Sequence, residues 1–234
     1  MAEIISRTLF CTSVPFYENQ IKVTVTKKAA DVDKWIGQTI HIHRRRLHKL
    51  LIGLDIEWLA CINATDKNHS KIALLQLCVG RRCLLFQLLH ADYIPNSLRA
   101  FLANPNFTFV GVGIQGDAYK LFQDHGLFVA NSVDLYQLAL VVRKFEPEYG
   151  IMGLKRMGLK RMAYEVLGKV MEKPLKVTLS QWDTEELSYE QVEYACIDAF
   201  VSFEIGMNLF SEMLNRLVYS PYVSAFDVKF DEIS

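Results

Sequence analysis

Apolar and polar positions change period several times along the chain, and the changes predict the order of its elements. Ile21-Lys22-Val23-Thr24-Val25-Thr26 alternates with period two, as a half-exposed strand does, and predicts an edge strand. From Ala29 to Ile40 the spacing of Ala30, Val32, Trp35 and Ile36 is helical. Residues 51–58 form a mostly apolar run that predicts a buried central strand. Residues 72–79 and 83–89 are two further apolar runs, and Gly80-Arg81-Arg82 between them signals a hairpin. A short helix over 95–102 ends at Asn104-Pro105-Asn106, ahead of another buried strand over 107–113. Helices over 114–125 and 135–144 follow, with a short strand at 132–134 between them, and the rest is largely helical. Strands early and helices late predict a layered α/β domain. Residues 1–20 carry neither period and are expected to be poorly ordered. One domain over 21–217 and a C-terminal tail over 218–234 complete the expected organisation.

Two local signals refine the helical part. Gly-Leu-Lys-Arg-Met occurs at 153–157 and again at 158–162. Five residues added inside a continuous helix would turn everything downstream by about 140°, and an interior glycine costs about 1 kcal/mol. The first copy is therefore expected in the incoming loop, with Gly158 near the helix start. Ser188-Tyr189-Glu190-Gln191 has capping-box spacing, so the last long helix should start there. Tyr194 and Asp198 then lie one turn apart on one face, beside Ala195 and Ala199, which leave room for a close approach to the sheet.

Composition narrows the class. With 51% hydrophobic and 22% charged residues the chain has the makings of an ordinary globular core. Lys plus Arg and Asp plus Glu number 26 each, so an anionic partner would have to be held by local patches rather than by net charge. The densest basic run is His41-Ile42-His43-Arg44-Arg45-Arg46-Leu47-His48-Lys49; a solvated connector, a phosphate contact and a nuclear-import signal all fit it. Five cysteines without a Cys-x-x-Cys pair indicate neither a disulfide framework nor a zinc ribbon. No apolar run reaches membrane-spanning length, and no secretory signal is evident. The expectation is an intracellular, soluble protein with no membrane partner, in the nucleus first and the cytoplasm second.

The chemistry starts at Leu54-Asp55-Ile56-Glu57-Trp58. In a strand Asp55 and Glu57 share a face, and two carboxylates held side by side on a buried strand call for a cation or take up protons. Gly111-Val112-Gly113-Ile114-Gln115-Gly116 matches a dinucleotide fingerprint, with Asp134 near the place of a ribose-binding acid. Asp117, directly after the third glycine, would however meet the pyrophosphate with a carboxylate. On the first turn of a helix Asp117 is favoured by the dipole, and it could instead face Asp55 and Glu57, with Asp198 completing the set. Four carboxylates from a strand, a helix start and a long helix suit two Mg²⁺ or Mn²⁺ ions, which prefer oxygen ligands.

Leu-Asp55-Ile-Glu57-Trp, Val110-Gly-Val-Gly-Ile-Gln-Gly-Asp117-Ala-Tyr-Lys-Leu and Tyr194-Ala-Cys-Ile-Asp198-Ala resemble, in order and spacing, the three motifs of the 3′–5′ exonucleases with four acids and a tyrosine. The resemblance is greatest to the Werner-syndrome-type exonuclease domain of stand-alone plant proteins. Its Gly-Leu-Lys-Arg, Lys-Pro and Ser-x-Trp-Asp features recur at 158–161, Lys173-Pro174 and 180–183, and it covers roughly residues 20–215. Glu193 stands where the superfamily's histidine branch has histidine, so the tyrosine branch is the match. The resemblance implies a ribonuclease-H-like fold, a five-stranded mixed sheet flanked by α-helices. It further implies metal-dependent release of nucleoside 5′-monophosphates from 3′ ends, with DNA as the expected substrate. Asp55 would bridge both metals, Glu57 and Asp198 would complete one, Asp117 would hold the second, and Tyr194 would orient the attacking water. A helicase on a separate chain is the protein partner it suggests.

Trp58 is a candidate wall for the terminal base, and Arg81, Arg82, Lys155, Arg156, Lys160 and Arg161 are candidate phosphate contacts. Two alternatives stay open at this level. One is RNA trimming, since the metal chemistry attacks either backbone. The other is a catalytically weak nucleic-acid-binding module, should the duplicated pentapeptide disturb the substrate side.

Overall fold

The computed structural model describes residues 9–59, 71–143 and 157–218. One mixed sheet of seven strands runs through them in the order β1-β2-β5-β4-β3-β6-β7. The strands are β1 (Leu9–Phe16), β2 (Asn19–Thr26), β3 (Leu50–Trp58), β4 (Ile72–Val79), β5 (Arg82–Phe86), β6 (Phe107–Gly111) and β7 (Ser132–Asp134). Helices α1 (Ala29–His43), α2 (Asn96–Leu102), α3 (Ile114–His125), α4 (Leu135–Arg143), α5 (Leu159–Leu167), α6 (Leu175–Thr178) and α7 (Tyr189–Val218) complete the order. The layering is that of an α/β domain. No helix among the described residues is long and apolar enough to cross a membrane.

Alternation along β3 decides what lies on each side of the sheet. Leu50, Ile52, Leu54 and Ile56 join a core with Trp35 of α1, Phe101 of α2 and Leu121 of α3. Leu51 faces the other way, into a second core with Ala139 of α4, Met162 of α5 and Ala195, Ala199 and Phe200 of α7. Asp55 and Glu57 have the parity of Leu51, so they face the α7 side. What sets their distance from α7 is Gly53: a Cβ there would lie 2.0 Å from the Ala199 carbonyl oxygen. Helix and strand therefore touch backbone to backbone, using the room that the small residues of α7 leave.

Three sequence expectations need correction. Ile21–Thr26 is not at the edge of the sheet. β2 pairs in parallel with β5 and also antiparallel with β1, and β1 lies within the stretch expected to be poorly ordered. Pro15 and the polar Thr12-Ser13 broke the period-two signal there, while the ladder Leu9↔Thr26 to Phe16↔Asn19 makes the strand regardless. With β1 and β7 added, the sheet has seven strands rather than five. Residues 1–8, 60–70, the expected tail from 219 and Gly153–Arg156 of the first repeat lie outside the described residues. Gly158 caps the N-terminus of α5, as the cost of an interior glycine predicts.

Candidate active site

The C-terminal half of β3 ends in a cleft of about 270 Å³. Asp55, Glu57, Asp117 and Asp198 line it together with Ile56, Trp58, Val112, Leu159, Lys173 and Tyr194. Each acid arrives by a different local device. Asp55 and Glu57 come from strand alternation, and the β3–β4 register shifts between Glu57 and Trp58, a bulge that ends regular pairing at the cleft. Asp117 sits on the first turn of α3, which starts at Gly113 in a left-handed conformation (φ 80°). Asp198 is four residues beyond Tyr194 on α7, whose start is fixed by the predicted capping box. Ser188 N–H donates to Gln191 Oε1 at 2.9 Å and Gln191 N–H to Ser188 Oγ at 3.3 Å.

The glycine-rich turn before α3 serves this packing. A Cβ on Gly111 would lie 2.6 Å from the Leu54 carbonyl oxygen, so this glycine lets β6 approach β3. Asp134, the would-be ribose acid, is buried. Its carboxylate accepts from Gly113 N–H at 2.7 Å and from Gln137 N–H at 3.1 Å. It serves as a capping group, buried and tied to two backbone N–H groups of its own surroundings.

Electrostatically the cleft is frustrated. Burial pushes the Asp55 carboxyl above its ordinary range, against the opposing pull of Lys173 and of the Ile56 N–H. Burial, then repulsion from Asp55, Asp198 and Asp117, pushes Glu57 up to about 9. Asp117 rises to about 8 through burial and the nearby Asp55 and Asp134. Asp198 rises to about 7: burial and Asp55 raise it, while Lys173 and the nearby Tyr194 hydroxyl hold it back. Burial also raises the Tyr194 phenol, and Asp198 adds to the effect. The carboxylates thus stand closer together, and drier, than their charges favour.

One cation answers them from within the chain. Lys173 Nζ donates to Asp198 Oδ2 at 2.5 Å and lies 5.1 Å from the centre of the Tyr194 ring. The other oxygen, Asp198 Oδ1, is buried without a hydrogen-bond partner. Among the described residues no three His, Cys, Asp or Glu side chains converge tightly enough to enclose a metal by themselves. An orphaned carboxylate oxygen and four hard oxygen-donor side chains nonetheless fit Mg²⁺ or Mn²⁺, ions that complete their shells with water and substrate oxygens.

The remaining predicted residues divide. Trp58 lines the cleft, is 39% exposed, and has Lys120 Nζ 5.6 Å from its ring centre. Lys160 and Arg161 follow cleft-lining Leu159 on α5, with Glu172 3.6 Å from Lys160 and Glu165 3.6 Å from Arg161. Arg81 and Arg82 do not reach the cleft. The register Gly53↔Cys78 and Glu57↔Leu74 puts the β4–β5 turn at the opposite end of β3, where Arg82 Nη2 donates to Gln38 of α1 at 2.6 Å. Lys155 and Arg156 lie outside the described residues. Sequence reasoning gave no role to Lys173, and it missed Gln76. Gln76 pairs across the ladder with Asp55, fully buried, with both amide atoms lacking a partner. A lone glutamine inside an apolar strand was the signal for it.

The 3′–5′ exonuclease family model matches residues 37–217. A 3′–5′ exonuclease of Arabidopsis thaliana is 31% identical over 188 residues, which cover 79% of this chain and 62% of that protein. The Mus musculus protein named bifunctional 3′–5′ exonuclease/ATP-dependent helicase WRN is 26% identical over 206 residues, covering 88% of this chain and 14% of the mouse protein. This chain thus spans 62% or less of the length of both relatives. The crystal structure of Escherichia coli RNase D, an exoribonuclease, shares the fold with a TM-score of 0.61 at 19% identity, over 86% of this chain and 48% of that one. With the family model spanning most of the described domain, the chain belongs to the 3′–5′ exonuclease family.

Proposed function

We propose that the cleft hydrolyses phosphodiester bonds one at a time from the 3′ end of a nucleic acid, releasing nucleoside 5′-monophosphates. The observation that carries this reading is the convergence of Asp55, Glu57, Asp117 and Asp198 on one pocket with Tyr194. Asp55, Glu57 and Asp198 would hold one divalent cation, and Asp55 and Asp117 a second. Bound Mg²⁺ or Mn²⁺ would supply what the protein lacks, acidification of water and stabilisation of charge on the attacking and leaving oxygens.

Everything else is the chain's own work. With an ordinary pKa of about 10, raised by burial, the Tyr194 phenol keeps its proton at neutral pH and is not the base, so its part is to orient a water by hydrogen bonding. Thr178 Oγ1 donates to the Tyr194 hydroxyl at 3.3 Å, and the Trp182 ring, centred 5.8 Å away, packs beside it. Both limit where that hydroxyl points. Trp58 and Leu159, which line the cleft, would offer apolar walls for the terminal nucleoside, and Lys160 and Arg161, next to Leu159 in the sequence, would offer phosphate contacts. None of these groups reads base identity. DNA ends are the first substrate proposed and RNA ends the second, because the acids act on either backbone.

The test is degradation of 5′-labelled recessed-duplex DNA, single-stranded DNA and RNA, with Mg²⁺, Mn²⁺ or EDTA, beside an Asp55→Ala variant. A ladder shortening from the 3′ end, absent with EDTA and in the variant, is the expected outcome. Retained binding of these substrates with no metal-dependent shortening would overturn the reading in favour of a binding module.

A further inference from the structure

Lys173 is the unassigned group at the centre of the cleft. It lies just before Pro174, the N-cap of α6 (φ −63°), on the segment between α5 and α6, so its backbone is anchored by a residue with restricted torsion. Its ammonium bonds Asp198 Oδ2 at 2.5 Å. Its charge acts on Asp55, Glu57 and Asp198 alike. The Asp198 side chain is almost wholly buried, but that of Lys173 keeps about a quarter of its surface open (26% against 2%). A buried acceptor is therefore served by a donor that can still reach into the open cleft.

Two consequences follow from sharing. A divalent cation bound to Asp198 competes with the ammonium for the same carboxylate and repels it at close range. The ammonium cannot leave far: its stem is fixed at Pro174, and the Tyr194 ring lies under the charge, a favourable seat for a cation. An ammonium displaced by an ångström or two within such a cleft needs a new anion. The substrate phosphate, brought to the same acids, is the anion at hand, and three rotatable N–H donors suit a phosphate oxygen.

Building on the exonuclease reading above, we propose that Lys173 is a substrate-binding residue parked on Asp198: a divalent cation displaces its ammonium from that carboxylate, and the freed ammonium then binds the phosphate of the terminal nucleotide. Lys173 is thus both placeholder for the metal and clamp for the substrate.

Calorimetric titration of the full chain tests both halves, with Mn²⁺ alone at mildly alkaline pH and then dAMP at saturating Mn²⁺. Lys173→Met is expected to bind Mn²⁺ about fivefold more tightly than wild type, since a competing charge is gone. It is expected to bind dAMP about tenfold more weakly, having lost a charge-assisted hydrogen bond. Unchanged or weaker Mn²⁺ affinity overturns the parking, and unchanged dAMP affinity overturns the clamp. Should the methionine variant not fold, the lysine ammonium signals of ¹⁵N-labelled wild type give the same answer. The paired Lys173 signal should shift on adding Mg²⁺ and shift again on adding dAMP; a signal indifferent to both contradicts the proposal. Wild-type cleavage with these results absent would sink Lys173's role alone, whereas absence of wild-type cleavage would sink the exonuclease reading itself.

Discussion

The two halves of β3 meet the same helix in opposite ways. Around Gly53, α7 presses its backbone onto the strand so closely that no side chain fits between them. At Asp198, the residue just before Ala199, the same helix faces the cleft that Asp55 and Glu57 line and adds a third carboxylate to the pair. The first contact is tight and apolar; the second gathers charges that repel. The two contacts divide the labour: close packing at Gly53 holds α7 in a place that electrostatics at Asp198 would oppose. A site that is destabilising without its ligand needs a rigid neighbour to keep it assembled.

The comparison breaks most completely at its packed half. Gly53→Val places a branched side chain against the Ala199 backbone and should leave the protein unfolded or insoluble; Gly53→Ala should cost about 3 kcal/mol or more, read as a fall in denaturant midpoint. At the charged half the effects on activity and stability should part company. Glu57→Gln removes a buried, repelled charge that has no ion-pair partner among the described residues, so it should lower cleavage by about 10³-fold, equivalent to about 4 kcal/mol of barrier. Yet its metal-free melting temperature at alkaline pH should match or exceed that of wild type. A variant that lost both together would show the acids to be structural.

A third prediction sharpens the contrast through pH. Glu57, Asp117 and Asp198 have folded values raised to about 9, 8 and 7, so the folded chain keeps protons that the unfolded chain has released. Their stabilising contribution is full below the ordinary carboxylate range and is lost as pH rises through those values. Thermal melts in EDTA should therefore show falling stability from pH 6 to pH 9, and Mn²⁺ should reverse the trend by favouring the ionised acids. Smaller still, Tyr194→Phe should reduce kcat by about 10- to 100-fold with little change in melting temperature, because the hydroxyl's visible bond from Thr178 is long at 3.3 Å. Ser188→Ala should cost about 1 kcal/mol through the start of α7 and leave Mn²⁺ affinity unaltered.

Much of this was readable from local rules. The parity of Asp55 and Glu57, the capping box before Tyr194 and the helix start before Asp117 each follow from a short stretch, and together they supply the site's acids. Residues joined only by the sheet's register escaped. Arg81 and Arg82 read as phosphate contacts until the β3–β4 ladder put them at the wrong end. Gln76 became notable only once it stood across from Asp55. β2 read as an edge strand because nothing local announces a partner whose own sequence contains Pro15. Lys173 pairs with a residue 25 positions away, and no spacing rule links a loop lysine to the face of a helix that has not yet begun.

Anomalous diffraction from crystals soaked in Mn²⁺ shows whether the four acids act as one cation trap. Two peaks are expected about 3.5–4 Å apart, one held by Asp55, Glu57 and Asp198 and the other by Asp55 and Asp117, with Lys173 moved off Asp198. Crystals whose Mn²⁺ peaks lie away from the cleft, or whose Asp55 carries none, would contradict such a trap.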